Sequence, residues 1–152
     1  LGCEGALLGL ARVARDFMVN RARGLIFSTA PSPLMAAVAR AAIRLAAERD
    51  DLRAALWERV RLAERLLAPL GAAVSGSQVL PVIIGDDART MALAARLQAE
   101  GLDVRGIRPP TVPEGTSRLR VSITNNASAD DIARLAAVLE AAQTDLARTD
   151  AA

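Results

Sequence analysis

The run IRPPTVPEGTSRLRVSI at residues 107–123 constrains this chain more than any other stretch. Three prolines, Pro109, Pro110 and Pro113, stand close together. Each fixes its own φ and restricts the residue before it, so no helix passes through this segment. Directly behind them the sequence alternates. Leu119, Val121 and Ile123 point to one side of a strand, and Arg118, Arg120 and Ser122 to the other. The apolar side must be covered by packing partners. The arginine side must face water, or negative charge brought from elsewhere.

The flanking segments supply the cover. Residues 33–70 are rich in Ala, Leu, Arg and Glu, all strong helix formers. Ser32 is placed to act as N-cap and Pro33 to open the helix. Asp50 or Asp51 divides the region and caps its second segment. There Leu52, Leu56, Val60, Ala63 and Leu67 recur at helical spacing and make one apolar face. Pro69 and Gly71 end it. A strand is predicted at 79–84, a helix at 90–100 stopped by Gly101, and a strand at 102–107. Ser128 is predicted to cap a last helix, with Asp130 and Asp131 in its first turn, where negative charge suits the dipole. Ile132, Leu135, Leu139, Ala142 and Leu146 form its buried stripe. The order αβαββα predicts an α+β fold, with helices on one face of a three-stranded, mostly antiparallel sheet. Upstream, residues 5–9 and Leu25-Ile26-Phe27 read as two short strands around a helix at 10–22.

Composition narrows the chemistry. Aromatic residues are 2% of the 152, so the core is built from Ala, Leu, Val and Ile. All 19 basic residues are Arg, and there is no Lys, His or Tyr. The usual general base, Schiff-base nucleophile and zinc ligand are therefore missing. A single Cys, Cys3, allows no internal disulfide and no metal cluster. The sequence has no long apolar run of membrane-spanning length and no signal peptide, so a cytoplasmic protein without a membrane partner is expected. Stacking aromatics are nearly absent, which argues against nucleic acid.

The arginine face has two readings. Strand arginines on an open sheet face are commonly just solvated. Alternatively they hold an anion, because the guanidinium fork grips a carboxylate through two hydrogen bonds. The prolines favour an anion site, since a stiff loop presents Arg108 and Thr111 at little ordering cost.

Taken together, RARGLIFSTAPSP, VLPVIIGD and GLDVRGIRPPTVPEGTSRLRVSI resemble the α-oxoamine synthases, a group of fold type I enzymes that use pyridoxal 5'-phosphate (PLP). The resemblance runs over nearly the whole chain. It implies a cytoplasmic homodimer that joins an amino acid to an acyl thioester with loss of carbon dioxide. Arg108-Pro109-Pro110 points within the family to L-alanine and a pimeloyl thioester. By the same resemblance Arg120 holds the amino-acid carboxylate, Thr111 contacts substrate, and Arg108 meets the distal carboxylate of the acyl chain. Ser28 and Thr29 reach the cofactor phosphate of the neighbouring subunit. The family's Schiff-base lysine falls before the segment matching Leu1 and Gly2. Residues 1–49 are then expected to be the C-terminal remnant of the large PLP-binding domain plus a connecting helix, and residues 50–152 the small domain. The chain alone is expected to be inactive. Asn125-Asn126 stands where many relatives carry His. Two other functions are consistent with the same residues: a stand-alone module that binds a small carboxylate, and a sister synthase that uses glycine or serine.

Overall fold

The computed structural model describes residues 2–150. The chain divides after Asp50 into two compact units. The first holds helices α1 (Arg12–Arg21), α2 (Arg23–Ile26) and α3 (Pro33–Glu48). The second holds α4 (Asp50–Leu67, its first residue at the division), β1 (Val79–Gly85), α5 (Asp87–Ala99), β2 (Arg105–Ile107), β3 (Ser117–Ser122) and α6 (Ala129–Asp150). A short 3-10 turn, Ala68–Leu70, follows α4, and Gly71 ends it with φ +94, a conformation suited to glycine.

The second unit is an α+β fold. Its strands lie in the order β1-β3-β2, and both pairings are antiparallel. Register pairs Leu80 with Val121 and Val82 with Leu119, so the buried residues of β1 and β3 share one face. Onto that face pack Val60, Ala63 and Leu67 of α4, Leu93, Ala94 and Leu97 of α5, and Ile132, Leu135, Leu139 and Ala142 of α6. These are the apolar stripes expected from helical spacing. Leu52 alone departs, because it lies at the solvent end of α4 and is exposed.

Polar side chains tie the elements together. The Asn125 amide donates to the Leu52 carbonyl (2.9 Å), and Arg59 Nε donates to the Ala127 carbonyl (2.7 Å). Gln143 Nε2 donates to Leu70 (3.1 Å). The buried Ser117 hydroxyl donates to Asp87 Oδ1 (2.5 Å), joining the start of β3 to the start of α5. On its outer side β1 is shielded by residues 71–73. Ala73 N–H donates to Pro81 and Ile83 N–H to Gly71, at 2.9 and 3.1 Å. Pro81 stands where its missing N–H weakens no pairing with β3. At Gly106 of β2, an added β-carbon would lie 2.9 Å from Met91 Sδ and 3.4 Å from Ala94 Cβ. Helix α5 therefore rests almost directly on the β2 backbone.

Several boundaries differ from expectation. Helix α5 starts at Asp87, because Asp86 caps it by accepting from Arg89 N–H at 2.7 Å. Strand β2 is shortened to three residues. The Val104 carbonyl is taken by Gln98 Nε2 (2.9 Å), and the Val104 N–H turns back to Leu102 (2.8 Å). Ser32 occupies the N-cap of α3, yet its hydroxyl makes no capping bond. Two expected strands are absent. Residues 5–9 have no regular structure, and Leu25 and Ile26 lie in α2. A strand exists only through a pairing partner. Among the described residues neither segment has one, so a short apolar run takes a local conformation instead.

The two units differ in how they bury apolar surface. Helices α1, α2 and α3 contain no buried residue. Leu7, Val13 and Phe27 are 86%, 83% and 73% exposed, whereas Leu119 and Leu139 are fully buried. Leu119→Ala is accordingly expected to lower the unfolding free energy by about 2–5 kcal/mol in a urea melt, and Leu7→Ala by less than about 0.5 kcal/mol.

Helix α6 carries the cap expected of Ser128. Its hydroxyl accepts from Asp131 N–H (3.1 Å), while Asp131 Oδ2 accepts from the Ser128 N–H (2.8 Å) and hydroxyl (2.7 Å). These bonds from Ser128, helped by the nearby Arg134, hold the Asp131 carboxyl below its ordinary range. A carboxyl lowered in the folded state adds stability above its unfolded pKa and loses it as pH falls through the folded value. An NMR titration should therefore find Asp131 titrating below 3.8. Ser128→Ala should move it upward and flatten the acid limb of stability against pH.

Candidate functional site on the open sheet face

The side of the sheet away from the helices is set by alternation and register. Arg120 of β3 is flanked by Pro81 of β1 and Arg105 of β2. Arg118 is flanked by Ile83 and Ile107. Two guanidinium-bearing residues thus stand directly opposite each other, with Pro81, Ile83 and Ile107 supplying apolar neighbours. Like charges in such positions repel across strands.

The arginines are not equivalent. Arg118 is half-buried, and its Nε donates to the Thr116 carbonyl at 2.9 Å. Arg105 is paired with Asp103, Nε to Oδ1 at 2.8 Å and Nη2 to Oδ2 at 3.3 Å. Arg120 is exposed, and among the described residues its side chain has no hydrogen-bond or ion-pair partner. Its backbone is nevertheless fixed, because β3 is the central strand. An unpartnered guanidinium on a rigid strand is a ready carboxylate receptor.

The proline loop leaves β2 at Arg108. Thr111 N–H donates to the Arg108 carbonyl (3.0 Å), closing a turn that contains a cis Pro109–Pro110 bond. Thr116 caps the far end, its hydroxyl donating to the Pro113 carbonyl at 2.7 Å. The side chains of Arg108 and Thr111 are exposed and form no bond among the described residues. The structure brings Arg108 and Thr111 into one turn at the Ile107–Arg118 end of the strand pair, and Arg120 lies further along β3. Ser28 and Thr29 belong to the first unit. They are exposed in the stretch between α2 and α3, with the Ser28 hydroxyl donating to Leu25 at 3.4 Å.

One residue of this face escaped sequence reasoning. Arg105 shares the face with Arg120 through a pairing register that no single strand reveals. The signal present was the alternation of Val104 and Gly106 with Arg105 and Ile107. Of the Asn125-Asn126 pair, Asn125 spends its side-chain amide on the Leu52 carbonyl.

The chain belongs to the aminotransferase class I and II family, whose model matches residues 1–139. Among curated relatives, an 8-amino-7-oxononanoate synthase from Sodalis glossinidius is 40% identical over 145 residues, which cover 94% of this chain and 37% of that protein. A protein of the same name from Cupriavidus pinatubonensis is 39% identical over 159 residues, covering 99% of this chain and 39% of that one. Among solved structures, Sphingomonas wittichii serine palmitoyltransferase matches with a TM-score of 0.78 at 27% identity, over 88% of this chain and 35% of that chain. The chain therefore spans a little over a third of the length of the curated relatives it matches. Among the described residues no group of acidic, His or Cys side chains is arranged to hold a metal, and no helix is long and apolar enough to cross a membrane.

Because Arg120 is exposed and has no partner among the described residues, Arg120→Gln is expected to leave the unfolding free energy from a urea melt within about 0.5 kcal/mol of the parent, with any change upward as repulsion from Arg105 is relieved.

Proposed function

We propose that this chain is the C-terminal part of a PLP-dependent acyltransferase of the α-oxoamine synthase group, one that condenses L-alanine with a pimeloyl thioester to 8-amino-7-oxononanoate, a step of biotin biosynthesis. Arg120 carries the reading: a fixed, solvent-facing guanidinium without an internal partner. The naming of the relatives at about 40% identity supports the choice of reaction.

The residues present fit PLP in part. Ser28 and Thr29 offer exposed hydroxyls, and Ser28 is held only by a long bond to Leu25, so both are available as donors to a phosphate. The sequence holds no Lys, so covalent attachment of the cofactor falls to a residue outside this chain. When bound, PLP supplies the electron sink that makes loss of carbon dioxide feasible. The chain's own residues bind and orient. Arg120 grips the α-carboxylate of the amino acid and so fixes which bond at the α-carbon faces the cofactor. Thr111 positions the same substrate from the proline loop. Arg108 receives the distal carboxylate of the acyl chain. Residues 1–49 are read as the end of the large PLP-binding domain with its connecting helix, and residues 50–152 as the small domain. Ser28 and Thr29 serve the cofactor of the neighbouring subunit in a cytoplasmic homodimer. The exposed Leu7, Val13 and Phe27 suit a segment that packs against further protein.

A sister synthase that uses serine is kept as the second reading because of the match to serine palmitoyltransferase. The test joins this chain to the part of the Sodalis glossinidius relative that it does not cover. Purified protein is then assayed for PLP absorbance and for carbon dioxide release with alanine, serine or glycine. Alanine is expected to be the preferred amino acid. Arg120→Gln should lower kcat/KM for it by about two orders of magnitude or more, the scale of a lost charge-assisted pair. Preference for serine would transfer the chain to the second reading. Full activity in Arg120→Gln would remove the proposed clamp.

A further inference from the structure

Arg120 is not the only cation on its patch. Arg105 pairs with it directly across β2 and β3, on the same open face. Opposed side chains on neighbouring strands have β-carbons about 4.5–5.5 Å apart, so both guanidinium groups are within reach of one small ligand. Asp103 engages Nε and Nη2 of Arg105. A guanidinium has five N–H donors, so the Asp103 contacts leave the Nη1 edge available. The ion pair is also exposed, at 63% and 74% of the two side chains, and such pairs hold weakly. Apolar neighbours complete the patch: Pro81 beside Arg120 and Ile107 two positions from Arg105. Repulsion between the two opposed cations is offset only in part by the exposed Asp103 carboxylate, and an anion that touches both would relieve the rest.

We propose that Arg105 is a second anion-binding residue of the open face, and that Arg105 and Arg120 together select a short dicarboxylate over a monocarboxylate. The inference rests on the reading of Arg120 as a carboxylate clamp and extends it to a ligand class. One carboxylate sits on Arg120, the second reaches Arg105, and the short carbon spacer lies beside Pro81. A short dicarboxylate is then a competitor for the place of the amino-acid carboxylate.

The experiment follows the Arg Nε–Hε resonances of this chain by NMR. Malonate and acetate are titrated separately at constant ionic strength, because exposed charges are screened by salt. Malonate is expected to shift both Arg105 and Arg120 and to bind about tenfold more tightly than acetate. Arg105→Gln should remove that advantage while leaving acetate affinity within about twofold, since one guanidinium still holds one carboxylate. Arg120→Gln should weaken both ligands. Both positions are exposed, and unchanged backbone spectra verify that the variants fold. If Arg105→Gln leaves malonate binding intact, or weakens acetate as much as malonate, the Arg105 proposal is overturned and the Arg120 clamp stands. If neither ligand produces a saturable shift in the parent chain, the Arg105 proposal is overturned, while the Arg120 clamp is decided by the activity of Arg120→Gln in the joined enzyme.

Discussion

The whole second unit depends on one strand being paired on both sides and buried on only one. β3 is hydrogen-bonded to β1 and β2, and its Leu119 and Val121 belong to the buried core to which α4, α5 and α6 contribute. Once those side chains are committed, the pleat leaves Arg118 and Arg120 nowhere but the opposite face. A slip of one residue would bury two arginines and expose the core, so the hydrophobic contacts that stabilise the fold also aim the charges. Position and stability are here one constraint.

That constraint explains why so much was legible in the sequence. The alternation at 118–123 is a period-two signal, and the stripes of α4 and α6 are period-3.6 signals. Each is written in a single segment. Ser128 and Asp131 announce the start of α6 because their bonds are local. What escaped depended on partners distant in sequence. Gln98 ends β2 by claiming Val104, and nothing inside residues 102–107 says so. Arg105 joined the charged face only through register. The two missing strands in the first fifty residues fail for the same reason: apolar runs of that length say that burial is wanted, not which neighbour provides it.

The arginines show how one residue type is divided among tasks by its surroundings. Arg59 is used as a brace, with Nε and Nη1 on the carbonyls of Ala127 and Ala55. Arg118 is partly spent on Thr116, and Arg105 shares its fork with Asp103. Arg120 keeps its full set of donors. In a chain without Lys or His, this gradation of occupancy separates structural cations from those available to a ligand. The proline loop adds stiffness at one end of the same surface, where Thr111 N–H locks the turn to Arg108.

Gly106 has a consequence on the side of the sheet that it does not face. Having no side chain, it lets α5 settle onto β2, with Met91 and Ala94 in contact range of any added β-carbon. An added methyl group would first push aside the flexible, solvent-exposed end of Met91 and would then press on Ala94. The strand that carries Arg105 thus takes its footing from a helix seated where a side chain would otherwise stand.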